Sequence, residues 1–387
     1  PSHWSIFTGL YPFRHEKYNP TDNGTGVITI SDILKENGYI TSAFISSAIL
    51  NGFHDEFDYW NGFSKENRRN KKFFIMRKAD DTNKEVLKWL SIHASERFFL
   101  WIHYYDPHSP YEPPEEYVFN YTGSNFYSDS RYDKTGISRV RSIREDIGRY
   151  DGEIRYSDEN LGKVLREIER LGLEGRTIIV ILSDHGECFG EHDFRDFGYD
   201  EEGPCIFHGR TLYDEEVHIP LIIYNPRLRV SGIVEELVET VDILPTLLEM
   251  LGISTDGLDI DGESLTKVIN GGEGKEFVVM QTKPRGDGSF SIGLRNHEWK
   301  FVNMVPSDFD VDVIGSWEHG VNGSGDKGDI VKLLFSTDGE TKNLYEESRD
   351  VAEGMEKRLR DIISRVRFHG VMADNETEKL LRSLGYI

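Results

Sequence analysis

Three short runs gather the residue types that hold cations and move protons. Ser183-Asp184-His185-Gly186-Glu187 follows directly on the apolar run Thr177 to Leu182, TIIVIL. In open α/β sheets the carboxyl ends of the strands carry the site. A carboxylate and an imidazole presented there, with a glycine allowing a sharp turn, suit a divalent metal. Two ligands do not complete a site, and the same residues also read as a helix-capping Asp followed by a solvated His. The second run, Asp106-Pro107-His108-Ser109-Pro110-Tyr111, also ends an apolar stretch. Its prolines can hold His108 rigidly, to donate to an anionic substrate or act as a general acid; it reads equally as a Pro-rich turn with a surface His. The third, His208-Gly209-Arg210, precedes the apolar HIPLIIY run and adds one more imidazole near a strand end. The opening stretch, Pro1 to His15, has Ser, Thr and Gly residues, Ser2 among them, that can form a helix N-terminus binding an anion, with Trp4, Ile6 and Phe7 in the core beneath.

Apolar runs alternate with helical patterns, which predicts an α/β fold with a mostly parallel sheet. Ser31 is expected to cap a helix through Lys35, before a strand over 39–46. Residues 53–83 are polar and aromatic and read as a loop-rich insertion, although helical spacing begins at Thr82 and runs to Ala94. Arg97 to Tyr105 (RFFLWIHYY) is nearly continuously apolar, as in a sheet covered on both faces. Glu145 to Leu171 reads as a long helix with Leu161, Val164, Leu165 and Ile168 on one side and Gly172 as its stop. TIIVIL is expected to be the best buried strand, HIPLIIY another, and Val241 to Leu251 a helix ending at Gly252. Beyond residue 270 the strands shorten and alternate: Phe277–Gln281, Phe290–Leu294, Lys300–Met304 and Val331–Phe335 suggest a small antiparallel sheet. Residues 306–330 are Gly- and Asp-rich and read as a loop. Val351–Val366 and Glu376–Leu384 read as closing helices. Two domains follow, 1–270 catalytic and 271–387 smaller.

The chain has 387 residues and a net charge of −23. That excess of negative charge disfavours nucleic acid and anionic membranes as partners. No apolar run reaches membrane-spanning length. The two cysteines, Cys188 and Cys205, are too few for a disulfide scaffold, and their spacing fits no zinc pattern; they flank one loop and can pair. Sequons at Asn23, Asn120, Asn322 and Asn375 matter only in a secreted protein.

Together and in this order, these pieces resemble the sulfatase family of the alkaline phosphatase superfamily. PSHWSIFTGLYP is similar to the tail of the family's nucleophile motif, WIHYYDPHSPY to its substrate-site histidine loop, and ILSDHGECFGEH to its second metal-ligand strand. HGRTLYDEEVHIPLIIYNP, TVDILPTLLEMLGI, DGESL and LRSLGYI match the segments that follow. The resemblance implies a three-layer α/β/α domain with a smaller C-terminal sheet. It implies Asp184 and His185 as metal ligands, His108 as a contact to the sulfate or phosphate, and His208 as a further basic group near the leaving oxygen. The implied cofactor is a divalent metal ion: calcium first, with manganese, magnesium or zinc suited by the imidazole ligand.

Three departures shape the reading. The family's nucleophile and its two early aspartates would lie before Pro1, so the chain as given is expected to be inactive. His3 stands where sulfatases with a formylglycine nucleophile have Arg, which favours Thr or Ser as the nucleophile. Ile45-Ser46-Ser47-Ala48 stands where many sulfatases have Gly-Lys-Trp-His. The expected activity is metal-dependent cleavage of a sulfate ester on a small molecule or glycan. A phosphodiesterase or phosphotransferase on the same scaffold is the first alternative, and a non-catalytic relative that binds a glycan or a partner is the second.

Overall fold

The structure is a computed structural model that describes residues 1–19, 22–63, 76–119, 143–197, 204–284, 289–305 and 331–370. The loop expected at 306–330 and the helix expected at Glu376–Leu384 lie outside the described residues. Helix α1 (Ser2–Thr8) buries Trp4 and Phe7 and ends at Gly9, whose φ of 66° closes the last turn. Helix α2 (Ile30–Glu36) begins one residue before Ser31. Its cap is a reciprocal box between Thr29 and Asp32, and the Ser31 hydroxyl instead donates to the Glu56 carbonyl at 2.5 Å. The strands β1 (Ile40–Ile45), β2 (Tyr59–Asn61) and β3 (Phe98–His103) follow, with helix α3 (Ala79–His93) between the last two. Thus the described part of the 53–83 stretch is largely regular. Apolar spacing misplaced the start of α3 because its cap comes from far along the chain: Asp106 accepts from the Ala79 N–H at 3.1 Å. Then come helix α4 (Ile143–Arg170), strands β4 (Ile179–Leu182), β5 (Cys188–Asp193), β6 (Pro204–Phe207) and β7 (Leu221–Tyr224), and helix α5 (Ile243–Leu251), which stops at left-handed Gly252. Strands β8 (Val278–Gln281), β9 (Phe290–Arg295), β10 (Trp299–Val305) and β11 (Val331–Ser336) and helix α6 (Arg349–Gly370) complete the described chain.

These elements form two compact units: residues 19–182 with 220–231, and residues 1–18, 183–219 and 232–387. In the first, β2-β1-β3 is a parallel sheet. One face packs Phe44 against Val86, Trp89 and Leu90 of α3 and Val164 and Ile168 of α4. On the other face Phe53 and Phe57 lie over Trp101, ring centroids 5.3 and 5.7 Å apart. The inner face of α4 is apolar only towards its C-terminal end. Further back it buries Glu153 and Asn160, held by Lys78 at 2.7 Å and by the Asn83 amide, which donates to the Asn160 carbonyl at 2.7 Å. The second strand pair corrects an expectation. TIIVIL is not the best buried strand: β4 pairs antiparallel with β7, and all four β4 residues are half-buried. On β7, Ile222 is 58% and Tyr224 44% exposed. An apolar run reports what a strand could bury. Among the described strands each of these two has one neighbour, and a two-stranded ribbon covers little of its own faces.

The second unit holds the antiparallel sheet β11-β10-β9-β8. Strand alternation sends Ile292, Leu294, Phe301 and Leu334 towards Ala352, Met355 and Leu359 of α6. It sends Val302, Leu333 and Phe335 the other way, against Phe197, Leu212 and Tyr213. The same unit fixes α1. The carbonyl of Gly9 accepts from the N–H groups of Asp261 and Gly262 at 2.8 and 3.1 Å. The Asp261 carboxylate accepts from the Tyr11 N–H and from Arg14, both at 2.8 Å. Arg14 also donates to the Val366 carbonyl at 3.0 Å, and the Tyr11 hydroxyl meets Glu239 at 3.0 Å.

Candidate active site

The 183–187 loop is pinned by main chain. The Gly186 N–H donates to the Glu216 carbonyl at 2.8 Å, and a Cβ on Gly186 would stand 2.0 Å from the Glu215 carbonyl oxygen. Only glycine lets the two segments approach this closely. With the loop held, the Asp184 carboxylate is presented by its own turn: one oxygen accepts from the His185 N–H at 3.1 Å. The other lies 3.5 Å from His185 Nε2 and 3.5 Å from His3 Nδ1.

Hydrogen bonds settle which imidazole nitrogens are available. His185 Nδ1 lies 2.8 Å from the Gly186 carbonyl, which can only accept, so Nδ1 carries the proton. Its Nε2 lone pair is left facing the Asp184 carboxylate. Two lone-pair donors at that separation are suited to a shared divalent cation, and an imidazole fixed through its other nitrogen is the usual way a ligand His is oriented. His3 is held neutral over most of the pH range. Burial lowers its pKa to about 4, against the opposing pull of Asp184. His208 behaves oppositely. Burial pulls it down, but the hydrogen bond and charge of Glu187, with Asp184 and Glu216 beyond, outweigh that and raise it. Its Nδ1 is 3.1 Å from Glu187, and its ring stacks on His185 with centroids 3.9 Å apart. The segment therefore brings together His3, Asp184, His185, Glu187 and His208: one imidazole with a free lone pair, one neutral, and one favouring its proton.

His108 belongs to the other unit. Its Nδ1 donates to the Ser109 carbonyl at 2.7 Å, and its ring stacks on Tyr105 at 4.2 Å. Asp106, two residues earlier, is raised to about 6 by burial, despite the Ala79 N–H and Lys78, so that loop is tied to the start of α3. Ser2 is the first residue of α1, adjacent to His3.

Sequence reasoning missed two carboxylates. Glu187 stood inside the quoted run, but nothing in its spacing marked it as the partner of His208. Glu216 is one of three consecutive acidic residues, Asp214-Glu215-Glu216, of which it alone is fully buried. Its side chain accepts from the Gly209 N–H at 2.5 Å and so holds the left-handed turn, φ 84°, beside His208. Its main-chain carbonyl is the one that holds Gly186. One residue thus anchors both loops. His15 was likewise not singled out. The Lys17 N–H donates to its Nδ1 at 2.9 Å, so the proton sits on Nε2 and is given to the buried Ser5 hydroxyl at 3.1 Å, tying α1 to the following turn.

Comparison with known proteins gives the family and the fold. An ulvan-active sulfatase of Formosa agariphila is 27% identical over 76% of this chain and 61% of its own length. The present chain therefore spans less than two thirds of that relative. Arylsulfatase K of Mus musculus is 21% identical over 94% of this chain and 70% of its own length. Among solved structures, the phosphonate monoester hydrolase SpPMH of Silicibacter pomeroyi superposes with a TM-score of 0.70 at 18% identity, covering 96% of this chain and 86% of that one. A protein solved in complex with its substrate D-glucosamine-2-N,6-O-disulfate gives a TM-score of 0.66 at 16% identity, over 93% of this chain and 88% of that one. These establish the α/β fold with a parallel sheet and a C-terminal antiparallel sheet. A family model described as Sulfatase matches residues 1–253, and the chain belongs to the sulfatase family.

Proposed function

We propose that the protein hydrolyses a sulfate ester, on a small molecule or a glycan, with the help of a divalent metal. The observation that carries this is the pairing of the Asp184 carboxylate with a His185 lone pair whose tautomer is fixed by the Gly186 carbonyl. Family membership supports the metal in general terms; calcium is the proposed ion, with manganese, magnesium and zinc as alternatives for an imidazole ligand. When bound, such an ion neutralises non-bridging oxygens of the ester. The chain's own residues then do the following. Asp184 and His185 hold the cation. His208, whose hold on its proton Glu187 strengthens, would donate towards the leaving oxygen. Neutral His3, with Ser2, and His108 are proposed to contact the anionic group of the substrate. We further propose residues 1–270 as the catalytic part and 271–387 as a smaller supporting part.

One observation favours a second reading, phosphodiester cleavage or phosphoryl transfer by a Ser or Thr nucleophile. His3 is neutral and stands where formylglycine sulfatases carry Arg. The test assays the whole gene product against aryl sulfates, phosphate monoesters and phosphodiesters, before and after dialysis against a chelator. Chelator-sensitive turnover of the sulfates supports the proposal. Preference for phosphodiesters moves the assignment to the second reading, and no turnover of any of them, with retained glycan binding, makes the protein a binding relative.

A further inference from the structure

Cys188 opens β5 and Cys205 lies on β6, and the ladder sets Cys188 opposite Phe207. Cys205 is therefore a diagonal neighbour on the same face. Both are free thiols, exposed by 0% and 1% of their surface, and packed with Phe194. Between them projects the carboxylate of Glu216, itself 3% exposed. One of its oxygens, Oε1, lies 3.8 Å from Cys188 Sγ and 3.5 Å from Cys205 Sγ, and also meets the Thr211 hydroxyl. The Thr211 hydroxyl is in turn 3.6 Å from Cys205 Sγ. We propose that Cys188, Cys205 and Glu216 form a buried structural site for a thiophilic divalent cation of the zinc type, with Thr211 as the neighbouring oxygen.

Two physical arguments carry this. The first is shape. The three ligand atoms all lie within 4.8 Å of one another. A tetrahedral zinc ion with Zn–S of about 2.3 Å and Zn–O of roughly 2.0–2.2 Å needs sulfur–oxygen edges of about 3.6 Å, and the two found are 3.8 and 3.5 Å. The second is valence. Without a cation, two thiols and a hydroxyl crowd one carboxylate oxygen, and Cys205 Sγ and the Thr211 hydroxyl, 3.6 Å apart, must share their protons between that oxygen and each other. A cation that takes the place of the thiol protons relieves that crowding. The donor set also selects its ion: thiolates prefer zinc, cobalt(II) or cadmium, whereas calcium and magnesium take oxygen. The other cluster of three potential ligands among the described residues, His192, Glu215 and Glu340, already contains a cation, because the buried Lys300 ammonium is paired with Glu340. The site is distinct from Asp184 and His185 in ligands and in metal class, so it stands or falls independently of the proposed hydrolase activity.

Cobalt(II) titration of the reduced, metal-free, full-length protein tests it. The expected result is a near-ultraviolet thiolate-to-cobalt charge-transfer band that saturates at one equivalent and is displaced by zinc. The band should be lost in Cys188→Ser and Cys205→Ser and retained in Asp184→Ala. If the serine variants fail to fold, the Asp184→Ala arm still decides, because a thiolate band there cannot arise from the Asp184 pair. Absence of the band from the reduced wild-type protein overturns the site and leaves hydrogen-bonded thiols. An intact mass lower by two hydrogens, with no metal bound after reduction, overturns it in favour of a disulfide.

Discussion

Replacing Gly186 with Ala isolates the contact that fixes the candidate metal-binding loop. The added Cβ would lie 2.0 Å from the Glu215 carbonyl oxygen and 3.0 Å from its carbon. Both are main-chain atoms, so no rotamer change relieves the clash. Ordinary contact begins at 3.4 Å, and the two segments must part by more than an ångström. That separation breaks the Gly186 N–H bond to the Glu216 carbonyl, now 2.8 Å. Overpacking costs about 1–3 kcal/mol, and a buried donor left unpaired roughly 1–3 kcal/mol; because one movement causes both, the expected loss is about 2–4 kcal/mol. The same substitution at Gly354 is the control. That glycine is exposed within α6, with nothing within 4 Å of its added Cβ, and should gain about 0.5–1 kcal/mol from helix propensity. Urea unfolding followed by tryptophan fluorescence reads both variants on one scale. A Gly186→Ala loss below about 0.5 kcal/mol refutes the reasoning, since it would mean that the 183–187 loop can move away at no cost.

Three further outcomes follow from the site. Asp184→Ala or His185→Ala in the whole gene product should abolish chelator-sensitive turnover while the urea midpoint stays nearly unchanged; metal-dependent turnover that survives in either variant contradicts the assigned ligands. His108→Ala should lower turnover by roughly 10²–10⁴, the range for one proton-transfer group, and a loss under about threefold in kcat makes it a surface residue. Asp106 has its folded pKa raised to about 6 by burial, above the unfolded carboxylate value. Its protonated form is therefore the one folding favours, so its stabilising contribution is complete at low pH and is lost as pH rises through about 6. Lys78 and Glu153 face the same carboxyl, the first opposing the shift and the second adding to it. Asp106→Asn should flatten the fall in urea midpoint between pH 4.5 and pH 7, and an unchanged slope excludes Asp106 as its source.

The sequence made the strand ends legible because continuous apolar runs and the chemistry after them are local. Asp184, His185, His208 and His3 were all named from runs of a few residues, and the structure brings these four together. The alternating strands after residue 270 were legible for the same reason, since period-two patterning is written along the strand itself. What was not legible depends on contacts across long separations. Spacing could not show that Asp106 caps α3, that Thr29 and not Ser31 caps α2, or that Glu216 lies inside while Asp214 and Glu215 before it are only half-buried. TIIVIL misled in the opposite sense: hydrophobicity measures the capacity for burial, and the partners available decide how much is realised. The cysteines show the same limit. Their spacing matches no metal pattern, because the third ligand arrives from a different turn of the chain.

The anchoring of α1 has a consequence in time. Gly9, Tyr11 and Arg14 are held by Asp261, Glu239 and Val366, and the Arg14 bond to the Val366 carbonyl spans 352 residues. A ribosome adding about 5–20 residues per second delivers that last partner on the order of 20–70 s after Arg14 has emerged. Until Glu239 and Asp261 emerge, the amphipathic segment bearing Trp4 and Phe7 has none of these late partners, and until Val366 emerges it lacks the last of them. A nascent chain must therefore shield the apolar surface of this segment by other means until those partners follow, and a chaperone that engages short apolar segments has a binding site there.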